Sequence, residues 1–248
     1  MTKPKPISSA VIYDGPSMYD GAPIVVILSG MATPSVNDKT GAMVQVTIIR
    51  SDVHPSEALK TGADVSICGE CPLRYVWNAE TRKFERVCYV NVLFQAGALY
   101  RAYKLGQLPT LTPTQAGHIA NTKGRGIRLG AYGDPAMVQY EIWEELLGAS
   151  GTMHTAYTHQ WAEDGFDSRI LWYAMASLDA VNTVDKLKAL HPNARWYRLA
   201  SDYSDIGPDE VKCPSKDASG KRVVQCADCG LCAGMSLKAK SIVIVEND

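Results

Sequence analysis

Two β-branched runs open the hydrophobic pattern of the chain. Pro23 to Gly30 (PIVVILSG) ends on a glycine, and Ala42 to Arg50 (AMVQVTIIR) repeats the signature after the turn-rich NDKTG. Both predict strands, placed to pair with one another. From Ser51 to Arg86 the periodicity is lost, and this stretch holds Cys68, Cys71 and Pro72. A structureless run of that length is uncommon unless something organises it, and a metal would do so. Val90 to Leu105 returns to a helical pattern.

Beyond residue 126 the pattern alternates regularly. Gly126 to Tyr132 (GIRLGAY) predicts a strand, Pro135 to Leu147 an amphipathic helix, Met153 to Thr158 (MHTAYT) and Leu171 to Ser177 (LWYAMAS) two more strands. Asp179 to Leu190 is a helix on the spacing of Val181, Val184, Leu187 and Leu190, and Ala194 to Ala200 (ARWYRLA) a further strand. Strands alternating with helices imply parallel βα units, and near-continuous apolar runs suit strands covered on both faces. The expected fold is α/β, a (β/α) barrel-like arrangement, complete or partial, preferred over an open doubly wound sheet. One domain over residues 1–248 is expected, with cysteine-rich metal-binding insertions at about 66–90 and 212–234. Chemistry belongs at the C-terminal strand ends, which are Gly133-Asp134, Thr158-His159-Gln160, Ser177-Leu178-Asp179 and Ser201-Asp202.

Composition changes this picture little. With 46% hydrophobic and 21% charged residues and a formal charge of -1, the 248-residue chain has an ordinary globular profile. No apolar stretch approaches the roughly 18 residues of a membrane span and no secretion signal is read at the start, so a cytoplasmic location is expected. The near-neutral charge gives no general attraction to nucleic acid. Locally, Lys212, Lys216, Lys221, Arg222, Lys238 and Lys240 face only Asp217 and Asp228, a pattern read either as a solvated surface or as phosphate contacts.

The seven cysteines carry the strongest chemical signal. Cys226, Cys229 and Cys232 form C-x2-C-x2-C in CADCGLC, and Cys213 lies upstream in KCPSK. Short loops that converge several thiolates suit zinc or an iron–sulfur cluster, with structural zinc placed first for this group. Cys68-x2-Cys71-x16-Cys88 supplies three sulfurs. Its fourth ligand could be His54, a distant cysteine, or a substrate or water at an open position. A zinc clip that shapes the loop and a [4Fe–4S] cluster with one free iron both fit, although the spacing is not the C-x3-C-x2-C expected of radical S-adenosylmethionine enzymes. The odd count and the expected compartment disfavour disulfides.

Other candidates are each open to a structural reading. Asp134 follows a predicted strand and precedes Pro135, which makes it a helix N-cap or a catalytic carboxylate. His159 and Gln160 could recognise a base edge or a phosphate, while a single histidine more often serves packing. Asp202 and Asp205 suit a turn at least as well as catalysis. Tyr100-Arg101-Ala102-Tyr103-Lys104 could stack on bases, or could be half-buried core. Gly124-Arg125-Gly126 precedes a strand and is no phosphate loop, and no H-E-x-x-H motif occurs.

ICGECPLR with the downstream CYVN, IRLGAYGDPAMV, TAYTHQW, WYRLASD and CPSKDASGKRVVQCADCGLCAG together resemble the phage and prophage "gene product 88" family, over about Ser66 to Gly234. The resemblance implies a phage protein acting in the cytoplasm of an infected bacterium. Part of that neighbourhood looks like phage DNA transglycosylases, relatives of the tRNA-guanine transglycosylases, which exchange guanine in DNA for a 7-deazaguanine base. On that likeness the fold is a barrel with a zinc subdomain, and the partners are DNA and a small 7-deazaguanine base. Asp134 and then Asp202 would be the catalytic nucleophile, with Tyr132, His159, Gln160 and Ser177 lining the pocket of the flipped nucleotide. The zinc motif of those enzymes, C-x-C-x2-C with a later histidine, is not found; a four-cysteine set stands instead, beside an extra trio. The alternatives are an iron–sulfur, radical-type enzyme working at Cys68, Cys71 and Cys88, and a non-catalytic zinc-stabilised nucleic-acid-binding module.

Overall fold

The computed structural model describes residues 6–34, 36–78, 80–86, 88, 90–179, 183–216 and 220–245. The fold is α/β. Its first sheet has the order β1-β2-β3-β6-β7, from β1 (Ser9–Pro16), β2 (Pro23–Ser29), β3 (Val44–Arg50), β6 (Ile127–Tyr132) and β7 (His154–Thr155). The β1-β2 and β2-β3 pairs are antiparallel, and from β3 onward pairing is parallel. The second sheet is parallel throughout, in the order β11-β12-β10-β9-β8. Its strands are β8 (Tyr157–Thr158), β9 (Met175–Leu178), β10 (Trp196–Ala200), β11 (Glu210–Lys212) and β12 (Ser241–Val245). A single residue, Ala156, separates β7 from β8, so one extended segment serves both sheets. Among the described residues no pairing joins the outer strands β1 and β11, and the sheets do not close into a ring.

The run Ile24 to Leu28 is fully buried at every position, as expected for a strand covered on both faces. One face of the first sheet packs on α4 (Pro113–Thr122) and α5 (Tyr140–Ser150) through Ala116, Ala120, Trp143, Leu146 and Leu147. Burying each of the larger side chains contributes about 1.5–3 kcal/mol. Trp143 also donates Nε1 to the Pro135 carbonyl at 2.9 Å, so its one polar atom is satisfied. A smaller cluster of Trp161, Leu178, Trp196 and Leu187, the last from α6 (Thr183–Leu190), covers the second sheet. The start of the helix expected from Asp179, with Val181, lies outside the described residues.

Several expected elements take other forms. Ser51 to Arg86 is structured: α1 (Pro55–Thr61), α2 (Val65–Cys68) and the hairpin of β4 (Tyr75–Asn78) and β5 (Lys83–Arg86). The expected helix from Pro135 is a single 3₁₀ turn, Pro135–Met137, and α5 starts only at Tyr140. The Met137 carbonyl accepts from Met18 N at 3.0 Å, which takes it out of a helical ladder. Of Leu171 to Ser177 only the last part is strand; Ser168–Trp172 is a 3₁₀ helix capped by Asp167, because a short apolar run serves a buried turn as well as a strand. Val90 to Leu105 holds a π turn, Val92–Ala96, followed by α3 (Gly97–Lys104). Its aromatic and basic side chains tie α3 to the strands: Tyr103 donates to Asp14 at 2.7 Å, Tyr100 to the Asp52 carbonyl at 3.2 Å and Lys104 to the Ser51 carbonyl at 3.3 Å. No helix among the described residues is long and apolar enough to cross a membrane.

Candidate functional site

The chain leaves the C-terminal end of β3, runs through α1 and α2, and brings Cys68 to the C-terminal ends of β6 and β8. Asp134 N donates to the Ile67 carbonyl at 2.7 Å, and Gln160 Nε2 to the Cys68 carbonyl at 3.0 Å. The Gln160 side-chain Oε1 accepts from Glu70 N at 3.1 Å. Both strand-end residues thereby grip the cysteine loop by its backbone. Close approach is possible because Gly133 has φ +86° and a Cβ there would lie 2.7 Å from the Ile48 Cβ. Inside the loop, Arg74 pairs with buried Asp64 at 2.8 Å and donates to the carbonyls of Gly62 and Gly69, each at 3.0 Å. Cys88 returns from the hairpin by donating its N–H to the Leu73 carbonyl at 2.8 Å.

Cys68, Cys71 and Cys88 therefore share one place. Burial pushes the Cys68 thiol well up, and the charges of Asp64, Cys71, Asp134 and Cys88 add to it. Burial likewise lifts Cys71 to about 11, with Asp134, Cys88 and Asp179 contributing against a backbone hydrogen bond at Leu73. The surroundings keep the Cys68 and Cys71 thiols protonated at neutral pH. A thiophilic metal relieves that by taking thiolates and releasing protons.

Asp134 is buried beside them. Its Oδ1 accepts from Ala136 N at 3.0 Å, which caps the 3₁₀ turn, and its Oδ2 accepts from His159 N at 2.8 Å. Burial raises its pKa, against the pull of those two hydrogen bonds and of one from Thr158. The same carboxyl is thus an N-cap and a tie between β6 and β8. The His159 ring lies 3.8 Å from the Asp179 carboxylate. Tyr132 and Ser177 are buried, Ser177 facing Tyr197 across the β9-β10 pair while its carbonyl accepts from Trp161 Nε1 at 2.9 Å. Asp202 stands apart: it is exposed and caps a turn through Ser204 N at 2.6 Å, with Asp205 completing the box. His54 caps α1 through Nδ1 and meets the edge of the Tyr100 ring.

The second group gathers Cys226, Cys229 and Cys232 near the starts of β3 and β10, with Cys213 at the end of β11. Cys226 N donates to the Lys39 carbonyl at 3.0 Å and Ala227 N to the Thr40 carbonyl at 3.1 Å, just ahead of β3. Arg195, just ahead of β10, donates to the carbonyls of Leu231, Gly234 and Lys240 at 2.6–2.9 Å and so clasps the segment. Cys213 hangs from the edge pair β11-β12, its N–H on the Val243 carbonyl at 2.7 Å. Burial raises Cys232 to about 12, offset by a hydrogen bond from Tyr157 and reinforced by Cys213, Cys226 and Cys229. Cys226 is raised by burial too, although Lys39 and Arg128 pull it back. α7 (Cys226–Cys229) ends at Gly230, and the C-x2-C spacing is thereby a helical turn and its cap.

The two cysteine sets thus form two separate gatherings of thiols, at different parts of the sheets. As the side chains stand, no three His, Cys, Asp or Glu residues among the described residues are arranged around a single ion. The donor chemistry of each gathering nonetheless suits a thiophilic metal. Asp64, Arg74 and Tyr157, which support the cysteines, carry no motif; only the proximity of Arg74 to Cys71 in ECPLR could have flagged it. Comparison with protein-family models, curated proteins and solved structures finds no match.

Proposed function

We propose that this chain is an iron–sulfur enzyme in which Cys68, Cys71 and Cys88 hold a [4Fe–4S] cluster with one open iron, at the C-terminal ends of an unclosed (β/α) barrel. The observation that carries this reading is the meeting of three thiols with Asp134, His159, Gln160 and Asp179 at strand ends, where parallel α/β sheets place their chemistry. When bound, such a cluster supplies single electrons and a coordination position for a substrate or for S-adenosylmethionine. The chain's own residues do the rest. Gln160 and Asp134 fix the cysteine loop, and His159 with Asp179 offers a polar pair beside it. Cys213, Cys226, Cys229 and Cys232 complete a four-thiolate set of their own, suited to zinc or to a second cluster.

The DNA-guanine transglycosylase reading retains the placement of Asp134 beside His159 and Gln160. It is the weaker of the two on physical grounds. A nucleophile must be ionised and free to attack, whereas both Asp134 oxygens accept backbone N–H groups and burial favours the protonated acid.

Anaerobic metal analysis with an ultraviolet-visible spectrum tests the proposal. Iron and sulfide with a brown chromophore are expected, with the iron content falling by one cluster in Cys68→Ala and in Cys88→Ala. A colourless protein with zinc alone would overturn it. Covalent trapping of DNA that disappears in Asp134→Asn would establish the transglycosylase instead.

A further inference from the structure

The segment after β11 folds back on itself. Lys216 and Arg222 form an antiparallel bridge, and Val223 N donates to the Ser215 carbonyl at 3.0 Å. Two cations directly opposite one another on a β ladder repel and destabilise the pair. They also line a cavity of about 210 Å³, together with Lys39, Lys212, Cys213 and Ile244. Among the described residues that line it there is no carboxylate. Arg222 Nη1 is buried without a hydrogen-bond partner among the described residues. A buried donor left unmade costs about 1–3 kcal/mol, so this arrangement is unfavourable as it stands.

We propose that Lys39, Lys212, Lys216 and Arg222 form an anion site that takes a phosphate or pyrophosphate group. Such a group supplies acceptor oxygens for Arg222 Nη1 and negative charge between the facing cations. The cavity is below the roughly 300–1,000 Å³ usual for whole drug-sized ligands, which suits a small anion or the phosphorylated end of a larger molecule. Lys212 keeps its contact with the Tyr203 hydroxyl and ring. The site borders Cys213 of the second cysteine group and draws on none of the first, where the activity proposed above resides.

The test is isothermal titration of the metal-replete protein with inorganic phosphate, pyrophosphate, and single-stranded oligonucleotides of increasing length. Saturable 1:1 binding of pyrophosphate is expected, weakened at least about tenfold in Arg222→Gln and in Lys216→Gln, the loss of one hydrogen bond to a charged group. Metal content should be unchanged in both variants. Affinity that rises with oligonucleotide length and falls steeply with salt identifies a nucleic-acid backbone as the source of the phosphate. Affinity that is full with pyrophosphate identifies a small phosphorylated ligand. No saturation by any of these probes overturns the proposal. So does a variant that binds as the parent does, or one that loses metal from Cys213 to Cys232, which would assign the cations to charge balance of the thiolates.

Discussion

Replacing Glu210 by Gln should destabilise the edge of the second sheet more than any surface change of equal size. Glu210 accepts from Trp196 Nε1 at 2.6 Å, from Arg198 Nε and Nη2 at 2.7 and 2.6 Å, and from Gly207 N at 2.7 Å. The two charged side chains are only 1% and 4% exposed. Glutamine keeps one acceptor oxygen, removes the counter-charge and leaves the buried Arg198 guanidinium only the carbonyls of Leu199 and Asp205. Breaking a buried pair from one side costs about 3–5 kcal/mol, and the lower end applies because Arg198 keeps two carbonyl acceptors. Against a typical total of about 5–15 kcal/mol this is a large fraction. Burial alone would raise the Glu210 pKa, but the hydrogen bonds from Arg198, Trp196 and Gly207 outweigh it and leave it lowered. A depressed carboxyl contributes stability that is present above its unfolded pKa and is lost as pH falls through the folded value. Urea unfolding at neutral pH should therefore show the full loss in Glu210→Gln, and the gap from the parent should narrow in acid, below about pH 4.3. Because Cys213 directly follows β11, the variant should also bind less metal at the second group. A loss under about 1 kcal/mol at neutral pH would refute the reasoning, since a buried guanidinium without its partner could not be so cheap.

Gly69→Ala should disturb the first cysteine group: at φ +52° the new Cβ would collide with the Gln160 side-chain amide oxygen, and Gln160 cannot swing away without breaking its bonds to Glu70 and Cys68. A loss of about 2–3 kcal/mol in urea unfolding is expected, with reduced metal content of that group by elemental analysis. Arg74→Met removes the clasp on Asp64, Gly62 and Gly69 and leaves a buried carboxylate, so thermal unfolding should fall by several degrees; unchanged melting would count against the clasp. Burial lowers the His154 pKa, against hydrogen bonds to the Tyr173 and Ala233 backbone. The unfolded chain therefore binds that proton more readily, and stability should fall as pH drops below about 6.5. The fall should shrink in His154→Gln when melting is followed across pH.

The strands with short apolar runs were legible, β2, β3, β6 and β10 within a residue or two at most ends, because local pattern and burial agree there. The βα alternation correctly implied parallel pairing. β12 escaped although SIVIV reads as a strand, since it lies alone beyond the cysteine segment, and Ser9–Pro16 gave only a weak signal before a polar turn. The break before α5 was illegible because it depends on Met18, remote in sequence. At the site, the cysteines announced themselves by spacing, and Asp134 by its place before Pro135. That Gln160 holds the loop and that Asp202 only caps a turn depend on which strand ends meet, which no local pattern records.

The seam at Ala156 has a wider consequence. Its N–H donates to the Cys232 carbonyl at 3.0 Å, while its own carbonyl accepts from Met175 N at 3.0 Å. The residue that carries the chain from one sheet to the other is therefore also hitched to the cysteine segment. Opening or tightening that segment would be felt on both sides at once, and amide hydrogen exchange at Ala156 would report it as a single protection factor for the whole junction.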